Sequence, residues 1–128
     1  MRALLDTHAF LWFVTGQKAL GPAAERLIRP GAHQLLLSIA SVWEIAIKAG
    51  VGRLEFAVPV ERFLSTHLRL NRVTLLPIEM DHAVHVATLP HHHRDPFDRM
   101  LVVQARMEEM PIISADPELD RYGIERVW

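Results

Sequence analysis

Short apolar runs that do not alternate constrain this chain more than any other feature. They are Arg2–Leu5, Gln34–Ser38, Val73–Leu76 and Pro111–Ser114, with a shorter candidate at Ile124–Trp128. A strand with one face in water alternates apolar and polar residues. A continuous apolar run needs cover on both faces, as in parallel sheets packed between helices. Helical segments separate the runs: His8–Val14, Pro22–Ile28, Ala40–Ala49, Val60–Leu70, Met80–Thr88 and Phe97–Met110. Prolines and glycines fall between the segments, where they punctuate rather than interrupt. A chain of 128 residues supplies one sizeable core. The expectation is a single domain over residues 1–128, a three-layer α/β/α fold on a parallel sheet.

Such sheets bind ligands beyond the carboxyl ends of their strands. Asp6 directly follows the first run and Asp116 closely follows the fourth. Glu44 lies in Ser41-Val42-Trp43-Glu44-Ile45-Ala46-Ile47, an almost wholly apolar stretch. Asp98 opens the helix from Phe97 and shares a face with Leu101, Val102 and Ala105. An acid on a buried stripe needs a partner, because an unpaired buried carboxylate is costly. Each acid taken alone has a simpler explanation. Asp95, Asp98 and Asp116 suit helix N-caps, Asp6 suits a turn, and Glu44 has Lys48 one turn ahead. Taken together, four acids at one sheet edge repel one another unless a cation joins them. With no cysteine in the chain, oxygen ligands favour Mg²⁺ or Mn²⁺. A carboxylate-held divalent ion suits phosphodiester hydrolysis.

The formal charge of −1 argues against a broad basic surface for coating nucleic acid. The absence of cysteine excludes a disulfide scaffold, a thiol nucleophile and a cysteine zinc site. No stretch approaches the roughly 20 apolar residues of a membrane span. The first residues lack a signal-peptide core, so a cytoplasmic protein without membrane contact is the expectation. Eight histidines raise the question of zinc. His82 and His85 share the helical segment from Met80, but neighbours in the run His91-His92-His93 rarely converge on one ion, and a zinc site needs three or four converging ligands. Arg94, Arg99 and Lys48 are candidates for RNA phosphate contact, with salt-bridge or solvated roles as the plainer reading. The apolar stretch Phe10–Val14 is a candidate dimer face.

Four segments together resemble the PIN-domain ribonucleases, and more narrowly the VapC toxins of bacterial VapBC toxin–antitoxin modules. They are Leu4-Leu5-Asp6-Thr7-His8-Ala9, Ser41 to Lys48, Arg94-Asp95-Pro96-Phe97-Asp98-Arg99-Met100-Leu101-Val102-Val103-Gln104-Ala105, and Ser114-Ala115-Asp116. The resemblance runs the full length, with the motifs in order. It implies a parallel sheet in the order 3-2-1-4-5 and Mg²⁺- or Mn²⁺-dependent endoribonuclease activity. The family's acidic quartet falls on Asp6, Glu44, Asp98 and Asp116. Asp6 and Asp98 are then the most direct metal ligands. Glu44 and Asp116 complete the pocket, and one of them orients the attacking water. Thr7, Ser114 and Asp95 take supporting positions. The implied partners are an RNA substrate, a VapB-like antitoxin and a second copy of the chain. Two other functions compete. A PIN nuclease of RNA processing would carry the same acids. A receiver-type signalling domain fits poorly, since it needs paired acids after the first strand and a late lysine, whereas the lysines here are Lys18 and Lys48.

Overall fold

The computed structural model describes residues 1–17 and 20–128; Lys18 therefore lies outside the described residues. Among the described residues, five parallel strands form one sheet: β1 (Arg2–Leu5), β2 (Gln34–Ser38), β3 (Val73–Leu76), β4 (Ile112–Ile113) and β5 (Arg126–Val127). Their order across the sheet is β3-β2-β1-β4-β5. Six α-helices among the described residues accompany them: α1 (Thr7–Thr15), α2 (Pro22–Ile28), α3 (Ile39–Gly50), α4 (Val60–Leu70), α5 (Met80–His85) and α6 (Pro96–Met107). The expected α/β/α architecture and strand order are both present.

Successive side chains of a strand point to opposite faces, and here both faces are dry. Ala3 and Leu5 of β1, Leu35 and Leu37 of β2, and Ile113 of β4 enter one core with Ala9, Phe10, Ala24, Ile45 and Phe63. Leu4, Leu36 and Ile112 enter a second core with Leu101, Val102, Val103 and Ala105 of α6. Both sets are needed, which is why these strands read as unbroken apolar runs. Gln104, fully buried, donates to the Pro77 carbonyl at 3.1 Å and ties α6 to the segment after β3.

Several boundaries differ from those expected. The last long helix stops at Met107 rather than Met110. Glu109 takes a positive φ of 52°, and the Met110 amide turns back to the Ala105 carbonyl at 3.0 Å. Pro111 follows, and the residue before a proline is disfavoured in helix. The fourth and fifth strands shrink to two residues each. The segment expected as one helix from Met80 tightens into a 3₁₀ turn at Val86–Thr88. A second 3₁₀ turn runs over Pro117–Tyr122, capped by Asp116 as the cap reading of that acid has it. Phe10 is not part of an exposed dimer face: it is fully buried, and Leu11, Phe13 and Val14 pack against the same core. The Trp12 ring lies 5.6 Å from that of Trp128, closing the C-terminus over α1. Among the described residues, no helix is long and apolar enough to cross a membrane.

Candidate functional site

Strand register decides where the acids stand. Leu5 pairs with Leu37 on one side and Ile113 on the other, so Asp6 emerges between Ser38 and Ser114 at the carboxyl edge. Each of these positions turns the chain into a helix or loop. Asp6 caps α1 by accepting from the Ala9 amide at 2.8 Å, and Ser38 caps α3 by accepting from the Ala40 amide at 3.0 Å. Asp116 caps the Pro117 turn by accepting from the Glu118 amide at 3.0 Å. The amide-rich ends of α1 and α3 therefore open at this edge, where partial positive charge favours anions.

Glu44 comes from the first turns of α3 and is 6% exposed. Its two oxygens are fixed from opposite sides. Thr7 Oγ1 donates to Oε1 at 2.7 Å, and Lys48 Nζ donates to Oε2 at 2.7 Å. Thr7 Oγ1 also shares a hydrogen bond with Ser41 Oγ at 2.9 Å. Thr7 and Ser41 are buried, and only the Lys48 end of this network reaches solvent. Asp98 enters from the first turn of α6. Asp95 caps that helix, accepting from the Phe97 and Asp98 amides at 2.8 and 3.3 Å. The cap role weighed for Asp95 is thus its observed one.

The carboxylates crowd one another. Burial pushes the Asp98 carboxyl up to about 6, and Asp95, Glu44 and Asp6 add to it, while His93 opposes them. Asp6 is also raised, chiefly by burial and to a lesser extent by Glu44, against the opposing pull of Ser114, the Ala9 amide and His8. Ligand atoms of Asp98, Asp116 and His93 all lie within 4.8 Å of one another. The fold therefore brings together all four acids expected from the sequence. Crowded carboxylates of which Asp6 and Asp98 are raised by burial and neighbouring acids are a donor set that a hard divalent cation relieves, so the residues fit such an ion.

Ser114 is fully buried, and its Oγ accepts from the Asp116 amide at 3.1 Å. Arg94 is exposed in the loop leading into α6, where a phosphate can reach it. Arg99 does something else. It is 6% exposed, and its guanidinium donates to the carbonyls of Pro90 at 2.9 Å, Val86 at 3.2 Å and Leu89 at 3.1 Å. Arg99 therefore pins the loop before α6 and is not available to RNA. Lys48, half-buried, is committed to Glu44. His82 also has a structural role: its Nδ1 accepts from the Glu79 amide at 3.0 Å, capping α5.

His93 was missed by sequence reasoning. Its Nε2 lies 2.7 Å from Asp116 Oδ2 and its Nδ1 lies 3.0 Å from Tyr122 Oη. The local signal was its place two residues before the Asp95 cap, in the loop that delivers Asp98. Its partners, however, are 23 and 29 residues away in sequence.

A family model for the PIN domain matches residues 3–125. The chain belongs to the PIN domain family. This is a family of nucleases. No curated protein matches it by sequence. Among solved structures, the PIN fold of this chain is similar to VapBC2 from Rickettsia felis bound to a promoter DNA fragment. The TM-score is 0.71, with 13% identity and 100% of each chain covered. It is also similar to DNA-bound VapBC from Salmonella typhimurium, with a TM-score of 0.70, 16% identity, and 98% and 96% covered. A toxin–antitoxin complex from Klebsiella pneumoniae gives a TM-score of 0.58 and 16% identity, with 89% and 86% covered.

Proposed function

We propose that this PIN domain is an endoribonuclease that uses Mg²⁺ or Mn²⁺, and that it is the VapC-type toxin of a type II toxin–antitoxin module. One observation carries the proposal. Asp6, Glu44, Asp98 and Asp116, from four separate segments, converge at the carboxyl edge of the sheet, where Glu44 raises the proton affinity of Asp6, Glu44 and Asp6 raise that of Asp98, and Asp116 lies within ligand distance of Asp98. Asp6 and Asp98 would hold the ion most directly, with Glu44 and Asp116 completing the site. When bound, such an ion supplies charge neutralisation at the attacked phosphate and a water acidic enough to attack near neutral pH.

The remaining work falls to the chain. Thr7 and Lys48 fix both oxygens of Glu44, so its carboxylate is held ready rather than reoriented at each turnover. Glu44 or Asp116 orients the attacking water by accepting its proton in a hydrogen bond. The amide ends of α1 and α3 face the phosphate oxygens, and Arg94 meets the RNA backbone from the loop before α6. Thr7 and Ser114 hold the acids rather than the substrate.

The structural relatives named above are VapBC assemblies and a toxin–antitoxin complex. They support a VapB-like antitoxin as the partner that silences this site. α3 and its C-terminal cap offer a surface for it: Ile39, Trp43, Ile47 and the cap residue Val51 recur every fourth residue and are exposed, Trp43 by 61%. That spacing places them on the helix that carries Glu44. Homodimer formation belongs to the same proposal, and size-exclusion chromatography with light scattering measures it.

The decisive experiment is induced expression with and without the neighbouring small gene, alongside RNA cleavage by purified protein. Growth arrest relieved by the neighbour, and metal-dependent cleavage abolished in a folded Asp6→Ala variant, is the expected result. Cleavage without growth arrest would favour an RNA-processing role. Full cleavage by folded Asp6→Ala would overturn the site.

A further inference from the structure

The mechanism leaves one well-built feature of this edge unused. His93 stands between Asp116 and Tyr122, its side chain only 10% exposed. Its Nε2 is 2.7 Å from Asp116 Oδ2, and its Nδ1 is 3.0 Å from Tyr122 Oη. The His93 ring is stacked near that of Tyr122, with centroids 5.5 Å apart, and His92 meets the same tyrosine edge-on at 4.9 Å. Tyr122 is itself buried at 5%. The turn Pro117–Tyr122 that carries it begins at the Asp116 cap. The loop holding His93 is pinned in turn by Arg99 through the Pro90 carbonyl.

The proton positions follow from what each partner can do. A carboxylate can only accept, so Nε2 carries the proton shared with Asp116. In the neutral imidazole Nδ1 is then bare and accepts, leaving the Tyr122 hydroxyl as its donor. Both ring nitrogens are occupied, and every group in the chain Tyr122–His93–Asp116 is satisfied. His93 therefore has no free lone pair to offer a cation, although it lies within ligand distance of Asp98 and Asp116.

We propose that His93 is a positioning residue: with its tautomer fixed by Tyr122, it clamps one oxygen of Asp116 and turns the carboxylate toward the ion shared with Asp98. The inference rests on the metal-site reading above. The clamp counters the repulsion between Asp116 and Asp98, which would otherwise swing the partly exposed Asp116 side chain toward solvent. Hydrogen-bond partners of metal-binding groups that fix their orientation typically contribute 10–100-fold in metal affinity.

The test is Mn²⁺ binding to the full chain without RNA, followed by the loss of the free-ion electron paramagnetic resonance signal. His93→Ala should bind Mn²⁺ about 10–100-fold more weakly than wild type. His93→Gln, which keeps an N–H near the Nε2 position, should recover most of that loss. Tyr122→Phe, which removes only the hydroxyl, should weaken binding less than His93→Ala does and guards against misfolding of the alanine variant. Metal-free melting temperatures of His93→Gln and Tyr122→Phe close to wild type would separate positioning from general stability. Equal Mn²⁺ affinity in wild type, His93→Ala and Tyr122→Phe would overturn the proposal. So would ¹⁴N coupling to bound Mn²⁺ in wild type that disappears in His93→Gln, because His93 would then be a ligand. Failure of wild type and all variants to bind Mn²⁺ would overturn the metal-site reading itself, and this inference with it.

Discussion

Removing the charge of Asp98 should stabilise the protein while disabling its site, and the size of that gain can be worked from the structure. Burial, with Asp95, Glu44 and Asp6, raises the Asp98 carboxyl from its ordinary 3.8 to about 6. The native state therefore holds this proton more tightly than the unfolded chain does. As pH rises from about 4 to about 6, the unfolded chain ionises first and native stability falls, with the penalty complete above that window. At 1.36 kcal/mol for each tenfold change, the full penalty is about 3 kcal/mol. Asp98 is only half-buried, so solvent screening reduces this to about 1.5 kcal/mol. Its place in the first turn of α6 returns roughly 0.3–1 kcal/mol to the charged form through the helix dipole. Asp98→Asn should thus gain about 1 kcal/mol in the metal-free protein at pH 8, which is about 4 °C in melting temperature for a chain of this size. Calorimetry in EDTA measures it. The gain should be about half as large at pH 5 and vanish toward pH 4, since the native wild-type acid is then protonated. Adding Mn²⁺ should raise the melting temperature of wild type more than that of the variant. A gain of equal size at pH 5 and pH 8, or a loss at pH 8, would refute the reasoning.

Arg99→Met should cost about 3 kcal/mol in urea unfolding, because three carbonyls, that of Leu89 buried, lose a charged donor. Arg99→Lys should recover little of this, since an ammonium lacks the planar fork that reaches all three. Gly21→Ala should destabilise by more than about 1 kcal/mol in thermal melts, by overpacking. A Cβ there would strike the Trp128 backbone and lie 2.8 Å from its ring Cδ1, prising the C-terminus away from α2.

Much of the fold was legible because its physics is local. The runs at Leu4-Leu5 and Leu35-Leu36-Leu37 are unbroken because alternate residues enter two different cores. Glu44 stood out as an acid among apolar neighbours, and its partner Lys48 sits one helical turn away, where spacing alone predicts contact. Asp95 caps α6 for reasons contained within four residues. Arg99 is a phosphate-contact candidate in the sequence because its neighbours are site residues, with a salt-bridge or solvated role as the plainer reading, and neither is its observed role. Only the path of the preceding loop turns its guanidinium onto three carbonyls instead of toward the substrate.

The sequence by itself determined which segments become strands and helices, and that acids follow the strands. Those outcomes depend on side-chain periodicity and capping, which act over a few residues. Only the tertiary structure decided that Asp6, Glu44, Asp98 and Asp116 share one edge, that Trp43 faces solvent while Phe10 fills the core, and that His93 meets Asp116 and Tyr122. The His93 contacts join residues more than 20 positions apart. They follow from strand register and helix packing, which fix the distance between side chains that no local spacing relates.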